Sequence, residues 1–320
     1  MDYIILILGF ILLIKGADVF VDSASNIAKK FKIPSIIVGL TIVSIGTSTP
    51  ELAVSLISSI EGSNGIAIGN VLGSNIFNTL MVLGITAIIM PILIKKSTMF
   101  KDYLVNIVVS LGLLILTFGR TLFNKEAELS RISGIILLIG CIIYTFYLIK
   151  TAKNSDAEEE EEKDINNYKI GESILKIAIG IIGIVVGGNL VVNSSSSIAY
   201  SFGLSDKLIG LTIVAMGTSL PELVTSIVAA IKGENDIAIG NVLGSNIFNI
   251  LLILGVSSTI NPILVRSSLI VDMIFLIFIS IILGIFMFTG KKEKLSLGKI
   301  EGLVLVLLYI CYMVFIIYRN

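Results

Sequence analysis

Two carboxylates lie in apolar surroundings where a charge is costly. Glu51 and Glu222 each end a Gly-Thr-Ser-x-Pro-Glu motif, and each lies inside an apolar run of membrane-spanning length. A charged side chain at the centre of a bilayer costs at least about 2.5–3.5 kcal/mol, so such a group is a functional candidate unless it has a structural partner. The neighbouring runs contain no Lys or Arg at that depth. The structural alternative is a protonated Glu hydrogen-bonded between helices, and it would have to hold at both positions.

Oxygen-bearing side chains accompany each carboxylate. Thr47 and Ser48 precede Glu51 by four and three positions, so on a helix all three share a face. Pro50 has no amide hydrogen, which removes the donor for the Gly46 carbonyl and predicts a break in the helix. Broken helices inside a membrane are tolerated where they line a cavity or are buried in protein, and they aim freed carbonyls at a site. The second motif repeats all of these features.

A second polar stripe follows each motif. Asn70, Ser74 and Asn78 recur every four residues, so they share one face of a helix. Such stripes also join helices through hydrogen bonds, and that interpretation is favoured for Asn70, Asn75, Asn241 and Asn246. Pairing with the carboxylates favours a binding role for Ser74, Asn78, Ser245 and Asn249.

The donor atoms in these segments are carboxylate, hydroxyl, amide and carbonyl oxygens, which indicates a site for a hard cation. The chain contains no histidine, and its two cysteines, Cys141 and Cys311, lie in apolar runs without metal-ligand spacing. Calcium accepts six to eight oxygens in flexible geometry, whereas magnesium demands a tight octahedron. Two carboxylates balance one Ca²⁺ or two Na⁺, and a third Na⁺ would leave the site with one positive charge. Protons could compete for either Glu.

The two motifs belong to an internal duplication at an offset of 171 residues. Residues 39–84 and 210–255 match at 31 of 46 positions without a gap. A hydrocarbon core of ~30 Å needs about 20 apolar residues per helix, and the continuous runs exclude the alternating strands of a barrel. Ten such runs are present: 3–24, 34–60, 65–91, 103–119, 132–150, 170–200, 206–231, 236–261, 269–288 and 298–318. No basic segment precedes the run 3–24, and we therefore expect this run to be a retained helix rather than a signal peptide.

The predicted fold is an all-α membrane protein of ten helices, built as two inverted five-helix repeats with broken helices at the midplane. An odd number of helices per half requires the second half to enter the membrane the other way up. The predicted units are a first repeat over 1–150, an acidic cytoplasmic linker over 151–168 and a second repeat over 169–320. The linker contains a run of five glutamates at 158–162. Like charges repel and stay solvated, which favours a plain linker over a regulatory cation sensor.

Loop charges predict the orientation. With both termini extracellular, the inside loops carry 15 Lys and the outside loops six Lys or Arg, which satisfies the positive-inside rule. The expected location is a prokaryotic cell membrane, with the lipid bilayer as the surroundings. The balance of 23 basic and 23 acidic residues suggests no nucleic acid partner, and no obligatory protein partner is implied.

At these residues the sequence resembles the sodium/calcium exchanger family of the cation/calcium antiporters, in its prokaryotic form with two α-repeats. The two Gly-Thr-Ser-x-Pro-Glu segments and the two Gly-Ser-Asn-Ile-Phe-Asn segments look like the paired α-repeats of that family. The resemblance implies that the glutamates bind Ca²⁺ and share it with Na⁺, and that Ser44 and Ala215 contribute backbone carbonyls. The residues that it places in the ion sites are Glu51, Glu222, Thr47, Ser48, Thr218, Ser219, Ser74, Asn78, Ser245, Asn249, Ser44 and Ala215.

The predicted function is secondary active antiport of Na⁺ against Ca²⁺ by alternating access, electrogenic and without a cofactor. Family members that depend on potassium rely on an acid where Asn249 stands, so the resemblance implies no K⁺ requirement. The family also implies that helices 1 and 6 slide against the remaining helices as a gate. Antiport of Ca²⁺ or another cation against protons remains an alternative, and a passive cation channel is a weaker one. An intramembrane enzyme with Ser48 or Ser219 as nucleophile is disfavoured, because no histidine or nearby lysine could activate it.

Overall fold

The chain forms a nearly all-helical bundle in a computed structural model that describes residues 1–62, 64–123, 126–154, 170–203, 215–288 and 294–319. We number its elements in chain order. The helices of the first half are α1 (Asp2–Lys30), α2 (Ser35–Val38), α3 (Ser44–Thr47), α4 (Thr49–Ile60), α5 (Asn64–Phe77), α6 (Leu83–Ile89), α7 (Lys96–Phe118) and α8 (Arg131–Asn154). Those of the second half are α9 (Ile170–Ser201), α10 (Ala215–Gly217), α11 (Leu220–Ile231), α12 (Asn235–Phe248), α13 (Gly255–Ile260), α14 (Leu269–Phe288) and α15 (Lys299–Arg319).

Eight helical segments of the described chain are long and apolar enough to cross a membrane, or nine when one bent pair counts as a span. The bent pair is 35–47 with α4, and it corresponds to the predicted run 34–60. Of the predicted run 206–231, residues 206–214 lie outside the described residues, and the described remainder contains the short helix α10 and the helix α11. Most of the predicted linker, from residue 155 onward, also lies outside them.

Two spans form the interior of the bundle. Gly65–Ile89 is 72% buried and Asn235–Ile260 is 94% buried, whereas the other six spans are 22–39% buried. Each interior span runs from an α-helix through a π-helical turn into a second α-helix: α5 and α6 flank 78–82, and α12 and α13 flank 249–254. Most of their buried apolar side chains belong to one large core cluster. The spans that carry the repeated polar stripe are therefore shielded from lipid by the rest of the molecule.

The long helices α1 and α9 pack closely and run antiparallel. Gly9 faces Leu190 and Val191, while Gly16 faces Gly180 and Ile184, so residue numbers rise in one helix as they fall in the other. A Cβ on Gly16 would lie 2.8 Å from the backbone nitrogen of Ile184, so only glycine permits this approach. The hydroxyl of Ser197, near the C-terminus of α9, donates to Asp2 at the N-terminus of α1 at 2.6 Å, so these two helix ends are also joined.

Two short antiparallel strand pairs correct the prediction of a purely helical fold. Strand β1 (Ile92–Lys95) pairs with β4 (Lys294–Leu297), and β2 (Glu128–Leu129) pairs with β3 (Ile263–Leu264). The strands β1 and β3 follow the prolines that end α6 and α13. A residue before proline is pushed towards extended backbone, and both Met90 (φ −138°, ψ 115°) and Asn261 (φ −144°, ψ 119°) adopt it.

Candidate functional site

The repeated motifs break two helices at equivalent positions. Ser48 has φ −81° and ψ 9°, Ser219 has φ −93° and ψ 6°, and neither belongs to the helices on its two sides. The helix axes before and after Ser48 differ by 50°. Pro50 lies in the first turn of α4, where its missing N–H costs no hydrogen bond. The hydroxyl of Thr49 donates to the Ile45 carbonyl at 3.1 Å. The predicted break is thus present, two residues before the proline.

Glu51 lies in the first turn of α4 and is completely buried. Its Oε1 atom accepts hydrogen bonds from Ser219 at 3.0 Å and from Ser74 at 3.3 Å. Ser74 belongs to the adjoining helix α5 of the same half, whereas Ser219 is the break residue of the other half. The carboxylate of one half therefore contacts the helix break of the other, and the amides at the start of α4 favour its negative charge.

Glu222 repeats this arrangement in the second half. It is completely buried in the first turn of α11, and its Oε1 atom accepts from Ser48 at 2.8 Å and from Ser245 at 3.3 Å. Ser48 Oγ also lies 2.9 Å from Ser245 Oγ. Each of the two buried acids is thus held by a serine of the opposite half.

Several buried polar atoms of the predicted site residues have no hydrogen-bond partner among the described residues. They include the second carboxylate oxygens, Glu51 Oε2 and Glu222 Oε2, both amide atoms of Asn78 and the Oδ1 atom of Asn249. A buried polar atom without a partner is costly, and oxygen atoms of this type are the ligands that calcium prefers. The donor set fits a hard cation of two positive charges, because two carboxylates would balance it.

The motif threonines join the two halves in the same reciprocal way. Thr47 donates to Asn241 Oδ1 at 2.9 Å, and Thr218 donates to Asn70 Oδ1 at 3.4 Å. Each of these asparagines in turn donates to the backbone carbonyl of its own glutamate, at 3.3 Å in both cases. Asn70 and Asn241 therefore hold the backbone carbonyls of the two glutamates in place. This arrangement is the helix-joining role that the sequence favoured for them.

Asn75 and Asn246 lie where α5 and α12 meet. The amide of Asn75 donates to the Asn246 carbonyl at 3.0 Å, and Asn249 donates to Asn75 Oδ1 at 3.0 Å. Asn246 donates to Thr79 at 3.0 Å. Asn78 and Asn249 each begin a π-helical turn, a feature that recurs at functional sites. None of the hydrogen bonds found in the described chain joins these two asparagines to either glutamate.

The two predicted carbonyl ligands are placed differently. The Ser44 carbonyl lies 3.4 Å from Ser245 Oγ, so it belongs to the network around Glu222. Ala215 is the first residue of α10, and its side chain is outside the described part of the chain. The structure brings together the other predicted site residues except Asn78 and Asn249. Asn78 has a buried side chain without a partner in the described residues, and Asn249 donates to Asn75 rather than to the groups around the glutamates.

Sequence reasoning missed three residues of this region. Ser55 and Ser226 accept from Asn70 and Asn241 at 3.1 and 3.0 Å, and their identity across the duplication was a signal for them. Thr225 follows Glu222 by three positions, and its buried hydroxyl has no partner in the described chain. Its counterpart in the first half is Val54, so the duplication gave no signal for it.

Comparisons with known proteins identify the family of this chain. The family model described as "Sodium/calcium exchanger protein" matches residues 1–150 and 172–318. The sodium/calcium exchanger MaX1 of Methanosarcina acetivorans is 34% identical over 351 residues, covering 99% of each chain. The inner membrane protein YrbG of Escherichia coli is 36% identical over 267 residues, covering 81% of this chain and 79% of that one.

A solved structure has a similar fold. The sodium-calcium exchanger NCX_Mj, soaked with zero Na⁺ and Ca²⁺, superposes with a TM-score of 0.83 at 34% sequence identity, covering 98% of both chains. The likeness therefore extends over nearly the whole bundle. The chain is thus a multi-pass integral membrane protein, and it belongs to the sodium/calcium exchanger protein family.

Proposed function

We propose that the protein is a secondary active antiporter that exchanges Na⁺ for Ca²⁺ by alternating access. The observation that carries this proposal is the reciprocal pair of buried acids. Each carboxylate has one oxygen held by serines and one without a partner in the described chain. A site with two negative charges and several neutral oxygens can take either one Ca²⁺ or several Na⁺ in turn, which is the requirement for exchange of the two ions.

The transported ions would be held by carboxylate, hydroxyl, amide and carbonyl oxygens of both halves. Glu51 and Glu222 would bind Ca²⁺ directly, and the serines that now hold them would remain as neighbours or ligands. Asn78 and Asn249 would complete sodium positions, which agrees with their unpartnered amide oxygens. The full set proposed is Glu51, Glu222, Thr47, Ser48, Thr218, Ser219, Ser74, Asn78, Ser245, Asn249 and the carbonyls of Ser44 and Ala215.

The proposed architecture is ten transmembrane helices in two inverted repeats, over 1–150 and 169–320, with the linker 151–168 in the cytoplasm. It is supported by α1 and α9, which are equivalent in the duplication and run antiparallel. The family model also omits residues 151–171. With both termini extracellular in a prokaryotic cell membrane, α1 and α9 would slide together against the core and open the site to one side at a time.

Exchange of three Na⁺ for one Ca²⁺ would carry charge. The two carboxylates and one Ca²⁺ sum to zero, whereas the same carboxylates and three Na⁺ sum to one positive charge. Each Ca²⁺ entering against three Na⁺ would move one positive charge out. No K⁺ requirement is expected, because the resemblance implies that potassium-dependent members of the family rely on an acid where this chain has Asn249.

Uptake of ⁴⁵Ca²⁺ into proteoliposomes tests the proposal. Vesicles loaded with Na⁺ should accumulate Ca²⁺ without K⁺ on either side, and an inside-positive potential should speed the uptake. Glu51→Gln should abolish it, because the second half alone cannot balance a divalent ion. Wild-type rates in Glu51→Gln would remove Glu51 from the site.

The same vesicles distinguish the alternatives. Uptake driven by a pH gradient but not by Na⁺ would identify a Ca²⁺/H⁺ antiporter, in which protons compete for the two glutamates. Entry of Ca²⁺ with no counter-ion gradient would identify a passive channel. Sodium-loaded vesicles that show no Ca²⁺ uptake under any gradient would contradict antiport of this ion.

A further inference from the structure

A charged contact ties α1 to the loop between α11 and α12. The ammonium of Lys232 lies 2.7 Å from Asp18 Oδ1 and 2.6 Å from Asp22 Oδ1, and it donates to the Asp18 carbonyl at 3.0 Å. Asp18 and Asp22 are one turn apart on α1, so a single lysine spans both. We call these three residues the latch.

Neighbouring contacts and charges stabilise the latch. Ser25, two turns beyond Asp18, donates to Glu234 at 2.5 Å, which adds a second polar link between α1 and the same loop. Burial alone would lower the pKa of the Lys232 ammonium, but the hydrogen bonds and charges of Asp18 and Asp22 outweigh it and hold this pKa above its ordinary value. The Lys232 side chain is 24% exposed, and those of Asp18 and Asp22 are 43% and 60% exposed, so solvent screens the contact on its aspartate side more than on its lysine side.

Beneath the latch, α1 covers the end of α11. Ala24 and Ala28 of α1 lie in one apolar cluster with Ala229 and Ala230 of α11, and all four are buried. At the equivalent turn of α4, Ile57 is 55% exposed, whereas its counterpart Val228 packs against the cluster. The end of α11 is therefore covered by the α1–α9 pair. At the equivalent turn of α4 the side chain of Ile57 is exposed, although Ser58 and Ser59, the counterparts of Ala229 and Ala230, are buried.

The duplication shows that the latch exists at one end only. At the offset of 171, the counterpart of Lys232 is Glu61, and the counterparts of Asp18 and Asp22 are Asn189 and Asn193. Two neutral amides cannot form an ion pair with a glutamate. The side chains at all three of these positions are exposed. The two ends thus have related backbones but different charge chemistry.

We propose that Lys232 is a positioning residue for transport: with Asp18 and Asp22 it holds α1 on the α11–α12 end of the core and favours the arrangement in which that end is closed. This proposal rests on the proposed function, because the latch acts on the α1–α9 pair and that pair slides only in the alternating-access mechanism proposed above. It follows that the two access states differ in stability because the latch holds only one of them. Losing the latch should raise the population in which this end is open.

Cysteine accessibility measures that population without any transport. In a background of Cys141→Ala and Cys311→Ser, the substitution Ala230→Cys places a thiol under α1. The full chain in lipid nanodiscs, free of Na⁺ and Ca²⁺, is treated with a charged methanethiosulfonate reagent. Lys232→Met should raise the labelling rate about fivefold, the shift expected when a partly buried ion pair is lost.

Two variants serve as matched controls. Lys232→Arg keeps the charge and should label at the parental rate, and Glu61→Gln removes the counterpart charge at the other end and should also leave the rate unchanged. Equal labelling of the Lys232→Met variant and its parent would overturn the proposal. Should Lys232→Met fail to give a monodisperse protein, the double variant Asp18→Asn/Asp22→Asn tests the same contact from the α1 side.

A reversed experiment installs a second latch. The triple variant Glu61→Lys/Asn189→Asp/Asn193→Asp places the three charges at the equivalent end and should stabilise the opposite closed arrangement. Labelling of Ala230→Cys should then rise, and an unchanged rate would contradict the inference that charge asymmetry sets the bias. Failure of Na⁺-driven Ca²⁺ uptake in the wild type would refute the proposed function, and the labelling result would still decide the role of the latch.

Discussion

The carboxylates of Glu51 and Glu222 are held by hydroxyls rather than by basic side chains. A lysine or arginine at this depth would neutralise each acid permanently and leave no charge for a cation. Serine hydroxyls orient the carboxylate and keep its negative charge available. Because Ser48 and Ser219 come from the opposite halves, each also ties the position of one acid to the helix break of the other.

Ser219→Ala should weaken Ca²⁺ exchange through loss of orientation at Glu51. The hydrogen bond from Ser219 to the carboxylate is 3.0 Å long, and a hydrogen bond to a charged group contributes about 1.5–3 kcal/mol. We expect kcat/KM for Na⁺-driven Ca²⁺ uptake to fall by about tenfold or more, measured with ⁴⁵Ca²⁺ in proteoliposomes. Ser48→Ala should give a loss of similar size, since the contact is reciprocal.

Ser58→Ala is the matched control for the serine variants. Ser58 lies on α4, donates only within its own helix to the Val54 carbonyl, and has Ala229 as its counterpart. Its exchange rate should equal that of the wild type. A Ser219→Ala protein with unchanged kcat/KM would show that Glu51 does not depend on the second half.

Among the elements, α12 shows how close packing brings the halves together. Gly240 and Gly244 lie four residues apart on the face that meets 36–44, the segment before the first helix break. A Cβ on Gly240 would lie 2.8 Å from the Ile36 carbonyl oxygen. The small residues therefore let α12, with Asn241 and Ser245 on it, approach the broken helix closely enough for hydrogen bonds.

Gly244→Ala should destabilise the fold by displacing that segment. The added Cβ would lie 2.6 Å from both the Leu40 carbonyl oxygen and Ser44 Oγ, and overpacking of this kind costs about 1–3 kcal/mol. We expect a lower thermal unfolding midpoint for the purified protein in detergent, together with slower exchange.

Gly112→Ala on α7 provides the comparison for that variant. No described atom lies within 4 Å of a Cβ at Gly112 outside its own helix neighbourhood, and alanine is favoured over glycine inside a helix by about 0.5–1 kcal/mol. Its midpoint should equal or exceed that of the wild type. Equal midpoints for Gly244→Ala and Gly112→Ala would contradict the packing explanation.

The whole molecule combines related halves with unequal ends. The reciprocal contacts around the acids are nearly symmetric, which suits a site that must face either side. The latch and the apolar cover on α11 are not symmetric, so the two sides of the bundle need not open equally easily. The linker between the halves also has no counterpart, and residues 155–169 lie outside the described part of the chain.

Neutralising the acidic linker should leave transport unchanged. Replacing the five glutamates at 158–162 by glutamine removes a block of charge that we expect to be solvated and remote from the ion site. Initial rates of Na⁺-driven Ca²⁺ uptake, and their dependence on Ca²⁺ at the cytoplasmic face, should stay within about twofold of the wild type. A lost dependence on cytoplasmic Ca²⁺ would instead identify the linker as a regulatory sensor.

Local chemistry and the duplication were enough to predict much of this protein from its sequence. The apolar runs, the helix breaks near Pro50 and Pro221, and the repeated oxygen donors all follow from short-range rules, because they depend on composition and on backbone chemistry within a few residues. The family followed from the doubled motif. The prolines at 91 and 262 also held a signal for the short strands, which the prediction of a purely helical fold overlooked.

Only the tertiary structure decided which residues meet. The pairing of Ser219 with Glu51 joins positions 168 residues apart, and that of Lys232 with Asp18 joins positions 214 apart. The π-helical turns at 78–82 and 249–254 likewise had no sequence signal. Such features depend on how complete helices pack, and the free energy of packing is shared among many distant side chains rather than encoded in a local motif.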